Sequence, residues 1–226
     1  MPPTSNTSWY LFTGQPGSGK TTSVLTAYNH LLSSLPTSYH FTGFTTSEIL
    51  DHTTSKRVGF DVVTVPQSSR CVLSRKNGPP SHPKTGAYAV DVESFESLAL
   101  PSLPLPIGGF VPRPDGKSVP VENVIYVLDE IGRMELHSSA FRKRVNDLRE
   151  AGVKLVGAIT SPIYGHRVPF CDELIERGGK DIQVTRIKKS NRDGATGDVI
   201  KIIERRWGLK STNKDDDEKT AKKRKR

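Results

Sequence analysis

The sequence contains few of the features that would place a protein outside the cell or in a membrane. Cys71 and Cys171 are its only cysteines, and two distant thiols form neither a disulfide framework nor a zinc-ligand spacing. No apolar run approaches the length of a membrane span, and residues 1–8 lack the basic start and apolar core of a secretory signal. We therefore expect a protein of a reducing compartment, the cytoplasm, without membrane contact.

The length and the charge distribution indicate one domain followed by a charged tail. A chain of 226 residues suits one sizeable α/β domain, which we expect over residues 1–209. Of the net charge of +9, residues 210–226 contribute +4, from eight Lys or Arg and four Asp or Glu. We expect this tail to be disordered. Its end, Lys222–Arg226, resembles a nuclear-import or polyanion-binding patch, and a solubilising tail is the alternative.

The stretch "LFTGQPGSGKTT" contains a phosphate-binding pattern. Gly14, Gly19, Lys20 and Thr21 satisfy G-x-x-x-x-G-K-[ST]. Glycines allow successive N–H groups to converge on one anion. Lys20 would reach the β- and γ-phosphates, and the Thr21 hydroxyl would ligate Mg²⁺. A strand before the loop, at Trp9–Thr13, and a helix after it favour a nucleotide site over an ordinary glycine-rich turn.

The rest of the chain alternates apolar strands with amphipathic helices. Strands are predicted over 41–50 and 58–65 as a hairpin, and then over 87–92, 124–128, 153–160 and 181–187. Helices are predicted after the loop, with a buried face of Val24, Tyr28, Leu31, Leu32 and Leu35, after Ser138, with Phe141, Val145 and Leu148 on one face, and over 198–207. Residues 66–86 and a Pro-rich excursion over 101–121 are expected to be irregular. This order implies a layered α/β fold with a largely parallel sheet.

Two adjacent carboxylates follow the apolar run Val124–Leu128. An Asp at the end of a buried strand helps to hold Mg²⁺ in phosphate-loop NTPases, so Thr21 and Asp129 are the predicted metal ligands. Glu130 would then orient a water and accept its proton. The alternative is that Glu130 caps the next turn or pairs with a basic side chain.

An arginine is also expected to stabilise the transferred phosphoryl group. The candidates are Arg133, Arg192, Arg57 and Arg75, and the sequence does not choose among them. With Glu130 and Lys20, we place Arg133 and Arg192 first as catalytic residues.

Several stretches resemble the cancer-related nucleoside-triphosphatase family. "TGQPGSGKTT", "GFTTSEI", "VDVESFESLALP", "LDEIGRMEL" and "SNRD" occur in the family's order, and the resemblance runs from Trp9 to about Trp207. It implies a RecA-like three-layer sandwich that hydrolyses ATP, GTP and other NTPs to NDP and phosphate with Mg²⁺ and little base preference. It also implies nucleotide contacts at Gly14, Gln15, Pro16, Gly17, Ser18, Gly19, Lys20, Thr21, Thr22, Asp129, Glu130, Ile131 and Gly132.

Two other functions stay open at this point. One is a nucleotide or nucleoside kinase, for which residues 167–180 would form a short lid. The other is a nucleotide-gated switch that binds nucleic acid or protein. Nucleoside triphosphates are the expected partners, nucleic acid would bind only through the basic tail, and we expect a monomer.

Overall fold

The computed structural model describes residues 7–66, 69–160 and 167–209. Its strands are β1 (Trp9–Thr13), β2 (His40–Leu50), β3 (Arg57–Val65), β4 (Arg70–Arg75), β5 (Lys84–Thr85), β6 (Tyr88–Val90), β7 (Phe110–Pro112), β8 (Ser118–Pro120), β9 (Val124–Ile131), β10 (Lys154–Ile159) and β11 (Ile182–Arg186). Its helices are α1 (Lys20–Ser34), α2 (Val92–Ala99), α3 (Ser139–Glu150), α4 (Pro169–Gly178) and α5 (Arg192–Arg206), with 3-10 turns at Val121–Asn123 and Glu135–His137.

The sheet has a parallel centre and an antiparallel extension. β11, β1, β10, β9 and β2 lie side by side in that order and run parallel. β3, β4, β6 and β5 continue the same sheet in antiparallel pairing. β1, β9 and β10 are buried at almost every position, which explains why their sequences are apolar throughout and do not alternate. The predicted α/β fold with a largely parallel central sheet is confirmed.

Helices cover both faces of the sheet and give the fold three layers. Successive side chains of a strand point to opposite faces. Trp9 and Leu11 therefore pack with residues of α2, α3 and α4, whereas Tyr10 and Phe12 pack with residues of α1 and α5. The two apolar clusters hold the parallel strands, and the loops at their carboxyl ends, in fixed positions.

The predicted helices are present, but one residue of the predicted buried face and the start of one helix differ from the prediction. Helix α3 begins as expected, with the Ser138 hydroxyl accepting a hydrogen bond from the Phe141 amide at 2.8 Å. Four of the five residues predicted for the buried face of α1 are buried, but Leu32 is 51% exposed. The apolar stripe of α1 runs along Val24, Tyr28, Leu31 and Leu35, and Leu32 lies beside it. Helix α5 starts at Arg192, six residues before the predicted start.

Two segments predicted as irregular contain strands. Within residues 66–86, β4 pairs with the long edge of β3, and β5 pairs with β6. The prediction is wrong there because tertiary pairing outweighs the local density of Pro and Gly. The excursion over 101–121 contains the small β7–β8 sheet, and its Leu103, Val111 and Val119 are buried against the core.

The structure adds one finding on membranes and none on the tail. Over the three described ranges, no helix is long and apolar enough to cross a bilayer. The charged tail, 210–226, lies outside the described residues.

Candidate functional site

The sequence-predicted residues meet at one edge of the sheet. Because β1, β9 and β10 are parallel, their carboxyl ends share that edge, where ligands of open α/β sheets bind. The loop 14–19 follows β1, Asp129 and Glu130 lie near the end of β9, and Thr160 follows β10. A cleft of about 760 Å³ opens along this edge, a size typical of small-molecule sites.

Glycines shape the loop that forms the floor of the cleft. A Cβ on Gly14 would lie 2.5 Å from the carbonyl oxygen of Ile187, so only glycine fits there without moving the backbone. Gly17 and Gly19 have φ of 73° and 97°, in the left-handed region that favours glycine. Helix α1 begins directly afterwards, at Lys20. Its N-terminus therefore presents the positive end of the helix dipole to the cleft.

Lys20 and Glu130 meet inside the cleft. The Nζ of Lys20 lies 3.2 Å from Oε2 of Glu130. The Thr160 hydroxyl donates a hydrogen bond to the other carboxylate oxygen, Oε1, at 3.1 Å. The Glu130 side chain keeps 27% of its surface exposed. Both of its oxygens are thus oriented by neighbours while the carboxylate still faces the cleft.

Asp129 is fully buried beneath the cleft. Burial raises the pKa of its carboxyl to about 7, with a further rise from the charge of Glu130. Hydrogen bonds from Thr21 and Thr46 and the charge of Lys20 oppose this rise. Its Oδ1 has no hydrogen-bond partner among the described groups. A buried carboxylate oxygen without a donor is unfavourable unless a cation or proton reaches it.

Glu135 is a third acidic residue at the site, and the sequence analysis missed it. Its side chain is buried, and burial raises the pKa of its carboxyl well above the usual range, with a further rise from the charge of Glu130. A Cβ on Gly132 would lie 2.6 Å from Oε1 of Glu130 and 2.9 Å from Oε2 of Glu135, so both carboxyl groups approach the same point. The 3-10 turn at Glu135–His137 returns Glu135 to the cleft, and no sequence pattern indicated that turn.

The structure separates the four candidate arginines. Arg57, Arg133 and Arg192 line the cleft. Arg192 lies across the loop, since a Cβ on Gly19 would come 2.6 Å from its Cδ. Arg57 also pairs with Glu48 at 2.6 Å. Arg75 lies outside the cleft lining and is held by Asp61 at 2.6 Å, which does not favour a role for it in the site.

Of the other predicted nucleotide contacts, some line the cleft and others do not. Pro16 and Thr22 line the cleft, whereas the side chain of Ile131 is buried in the core and Gln15 points outward. The lining also includes residues that the sequence analysis did not name: Thr46, Glu48, Phe60, Leu73, Thr85, Met134 and Thr160. Of these, Thr160 had a signal, because it directly follows an apolar strand. Most of the others lie on the antiparallel strands, whose position depends on tertiary pairing.

The segment interpreted as a lid under the kinase alternative is helix α4. Its Cys171 and Leu174 are buried in the core, so this helix is fixed to the domain. Burial also raises the pKa of the Cys171 thiol to about 12, which makes it unreactive at neutral pH.

Comparisons with known proteins found a matching family model and several similar chains. A family model described as NTPase matches residues 10–200. The chain is 36% identical to the human cancer-related nucleoside-triphosphatase over 198 residues, which cover 85% of this chain and 94% of that protein. The crystal structure of THEP1 from the hyperthermophile Aquifex aeolicus superposes with a TM-score of 0.65 at 25% identity, over 87% of this chain and 99% of that one.

Proposed function

From its membership of the NTPase family, we propose that the chain is a Mg²⁺-dependent nucleoside-triphosphatase that hydrolyses ATP, GTP and other NTPs to NDP and phosphate. One observation carries this proposal. Glu130 lies in the same cleft as the glycine-rich loop, with Oε2 3.2 Å from the Lys20 ammonium. A carboxylate is therefore within reach of the lysine that would bind the terminal phosphates.

The residues present fit a magnesium ion. No group of three or more His, Cys, Asp or Glu in the described part of the chain is arranged to hold a metal. Mg²⁺ in nucleotide sites, however, needs only one or two protein ligands beside waters and phosphate oxygens. Thr21 and Asp129 would hold it, as the unsatisfied Oδ1 of Asp129 supports. When bound, the ion would neutralise charge on the β- and γ-phosphate oxygens.

Glu130 would act as the general base. When a triphosphate enters, the Lys20 ammonium would pair with phosphate oxygens instead of the Glu130 carboxylate. Oε2 of Glu130 would then be available to a water. That water forms a bond to the γ-phosphorus and passes its proton to Glu130, while the bond to the β,γ-bridging oxygen breaks. The Thr160 hydroxyl keeps the carboxylate oriented through Oε1. Such base assistance contributes about 10²–10⁴-fold in rate.

Arg133 and Arg192 would stabilise the charge of the transferred phosphoryl group. Both line the cleft, and Arg192 crosses the loop beside Gly19. The polar groups identified at the site would contact the phosphates and the metal ion, which are common to all Mg²⁺–NTP complexes. This supports broad base specificity. Cellular location in the cytoplasm or nucleus, a monomeric state and binding through the tail stay predictions from the sequence.

The direct test is phosphate release from ATP, GTP, CTP and UTP, with Mg²⁺ or with EDTA. We expect release from all four with Mg²⁺ and almost none with EDTA. Glu130→Gln should lower turnover about 10²–10⁴-fold and retain affinity for a fluorescent nucleotide. The control is Glu150→Gln, an exposed carboxyl at the end of α3. Unchanged turnover in Glu130→Gln would remove Glu130 from the mechanism.

A further inference from the structure

A second cleft lies beside the nucleotide cleft and is lined by basic side chains. Its volume is about 460 Å³, within the range of small-molecule sites. Lys84, Arg133, Arg142 and Arg167 line it, and its described lining contains no Asp or Glu. Apart from Arg133, none of these cations takes part in the proposed hydrolysis.

The second cleft is contiguous with the first. Thr85 and Arg133 line both. One wall comes from β5, and the facing wall comes from the 3-10 turn at Glu135–His137 and the start of α3. The two walls are joined by a hydrogen bond of 2.9 Å between the Thr85 hydroxyl and Nε2 of His137. The cleft is thus formed by connected elements of the fold.

The positive charge in this cleft is only partly balanced. Arg167 pairs with Asp172 at 3.0 Å. Among the described residues, Lys84 and Arg142 make no ion pair with a carboxylate. The Nε of Arg142 donates to the carbonyl oxygen of Leu136 at 2.7 Å, which fixes the guanidinium at the cleft. At least two cations are therefore grouped without a carboxylate partner from the described part of the chain, an arrangement that an anion would relieve.

Other groups around the cleft suit a phosphate joined to an apolar body. Helix α4 begins here, with Val168, Pro169 and Phe170 in the lining. Its first turn has no side-chain cap, although Asp172 in that turn offsets part of the positive end of the helix dipole. Leu136, Val168 and Phe170 supply apolar surface. A phosphomonoester carries nearly two negative charges and three acceptor oxygens at neutral pH, which matches the surplus of cations.

We propose that this second cleft binds a small phosphomonoester. Lys84 and Arg142 hold its phosphate, and the apolar wall contacts its organic part. A guanidinium suits phosphate because it donates two parallel hydrogen bonds. This site is separate from the glycine-rich loop, and binding there does not depend on NTP hydrolysis.

The test uses the full chain and phenyl phosphate, with phenol as the control without phosphate. A non-hydrolysable ATP analogue and Mg²⁺ occupy the first cleft during titration calorimetry and amide-shift NMR. We expect millimolar or tighter binding of phenyl phosphate, shifts confined to residues 84–86, 136–142 and 168–170, and no binding of phenol. The variant Lys20→Ala, titrated alone, should bind phenyl phosphate as the unaltered chain does.

Charge-removing variants identify the site. Lys84→Gln and Arg142→Gln should each weaken phenyl phosphate binding about tenfold, the effect of losing one charged hydrogen bond. Lys143→Gln removes the same charge from the neighbouring, solvent-exposed position on α3, and should leave the affinity unchanged. Among the described residues the Lys84 side chain has no hydrogen-bond or ion-pair partner, so Lys84→Gln tests the site even if Arg142→Gln misfolds. Equal losses in Lys143→Gln, no loss in Lys84→Gln, or loss of binding in Lys20→Ala would each overturn the proposal.

Discussion

Replacing Asp129 by Asn should stabilise the ligand-free protein at alkaline pH and not at acidic pH. The Asp129 carboxyl is fully buried, and its pKa is raised from the usual 3.8 to about 7 by burial and by the charge of Glu130. The folded protein therefore binds this proton more tightly than the unfolded chain does. Its contribution to stability is complete below about pH 4 and is lost as the pH rises to about 7.

The magnitude follows from the pKa difference. At about 1.4 kcal/mol per pH unit, holding the ionised carboxyl in the folded state costs about 4 kcal/mol at pH 8. Asn cannot ionise, so Asp129→Asn should be more stable than the unaltered chain by up to about this amount at pH 8. The difference should shrink along a slope of about 1.4 kcal/mol per pH unit between pH 7 and pH 4. Any loss or gain of hydrogen bonds by the amide adds a constant and leaves the slope unchanged.

Urea unfolding in EDTA, without nucleotide, measures this difference at a series of pH values. The control is Asp147→Asn, which breaks a surface pair with Lys143 on α3 and should change stability by less than about 1 kcal/mol. A stability difference for Asp129→Asn that is the same at pH 4 and at pH 8 would refute the reasoning. It would mean that the buried carboxyl finds a counter-charge that the described residues do not supply.

Three further substitutions test the packing and the site. Gly132→Ala places a Cβ 2.6 Å from Oε1 of Glu130. It should lower turnover about 10²-fold by displacing that carboxylate, while thermal unfolding changes little; normal turnover would contradict the geometry. Gly14→Ala meets the Ile187 carbonyl at 2.5 Å and should lose about 1–3 kcal/mol in urea unfolding together with affinity for a fluorescent nucleotide, and retention of both would contradict the close approach. Phe141→Ala empties a fully buried position and should destabilise by about 3–5 kcal/mol in urea unfolding; a loss below about 1 kcal/mol would show that the core collapses to fill it.

The parallel half of the fold could be predicted because its strands are covered on both faces. A strand that is covered on both faces is apolar at every position, as Val124–Leu128 is, and polar residues follow at its carboxyl end. The Ser138 cap could also be predicted from the sequence, because a cap depends on residues within one turn. Family resemblance added the order of the motifs and was confirmed by the comparisons.

The outer antiparallel strands β4 and β5 could not be predicted because they depend on distant partners, whereas the β2–β3 hairpin was predicted and is present. β4 is six residues long and begins four residues after Pro66, and it forms because β3 leaves a long edge to pair with. The same dependence hid Leu73, which reaches the cleft from β4. The sequence could not decide among the four arginines, since only the fold shows that Arg75 is held by Asp61.

Three carboxyl groups lie close together at the site, which explains why the adjacent carboxylates after an apolar strand were informative. Asp129, Glu130 and Glu135 lie together, and Lys20 forms an ion pair with Glu130. Burial raises the pKa of Asp129 and of Glu135, and the negative charge of Glu130 raises both further. Bound protons reduce that charge as the pH falls, and a divalent cation would reduce it during the proposed hydrolysis. A fold that only needed stability would gain by losing one of these acids, so their grouping at the phosphate-loop edge favours a catalytic purpose.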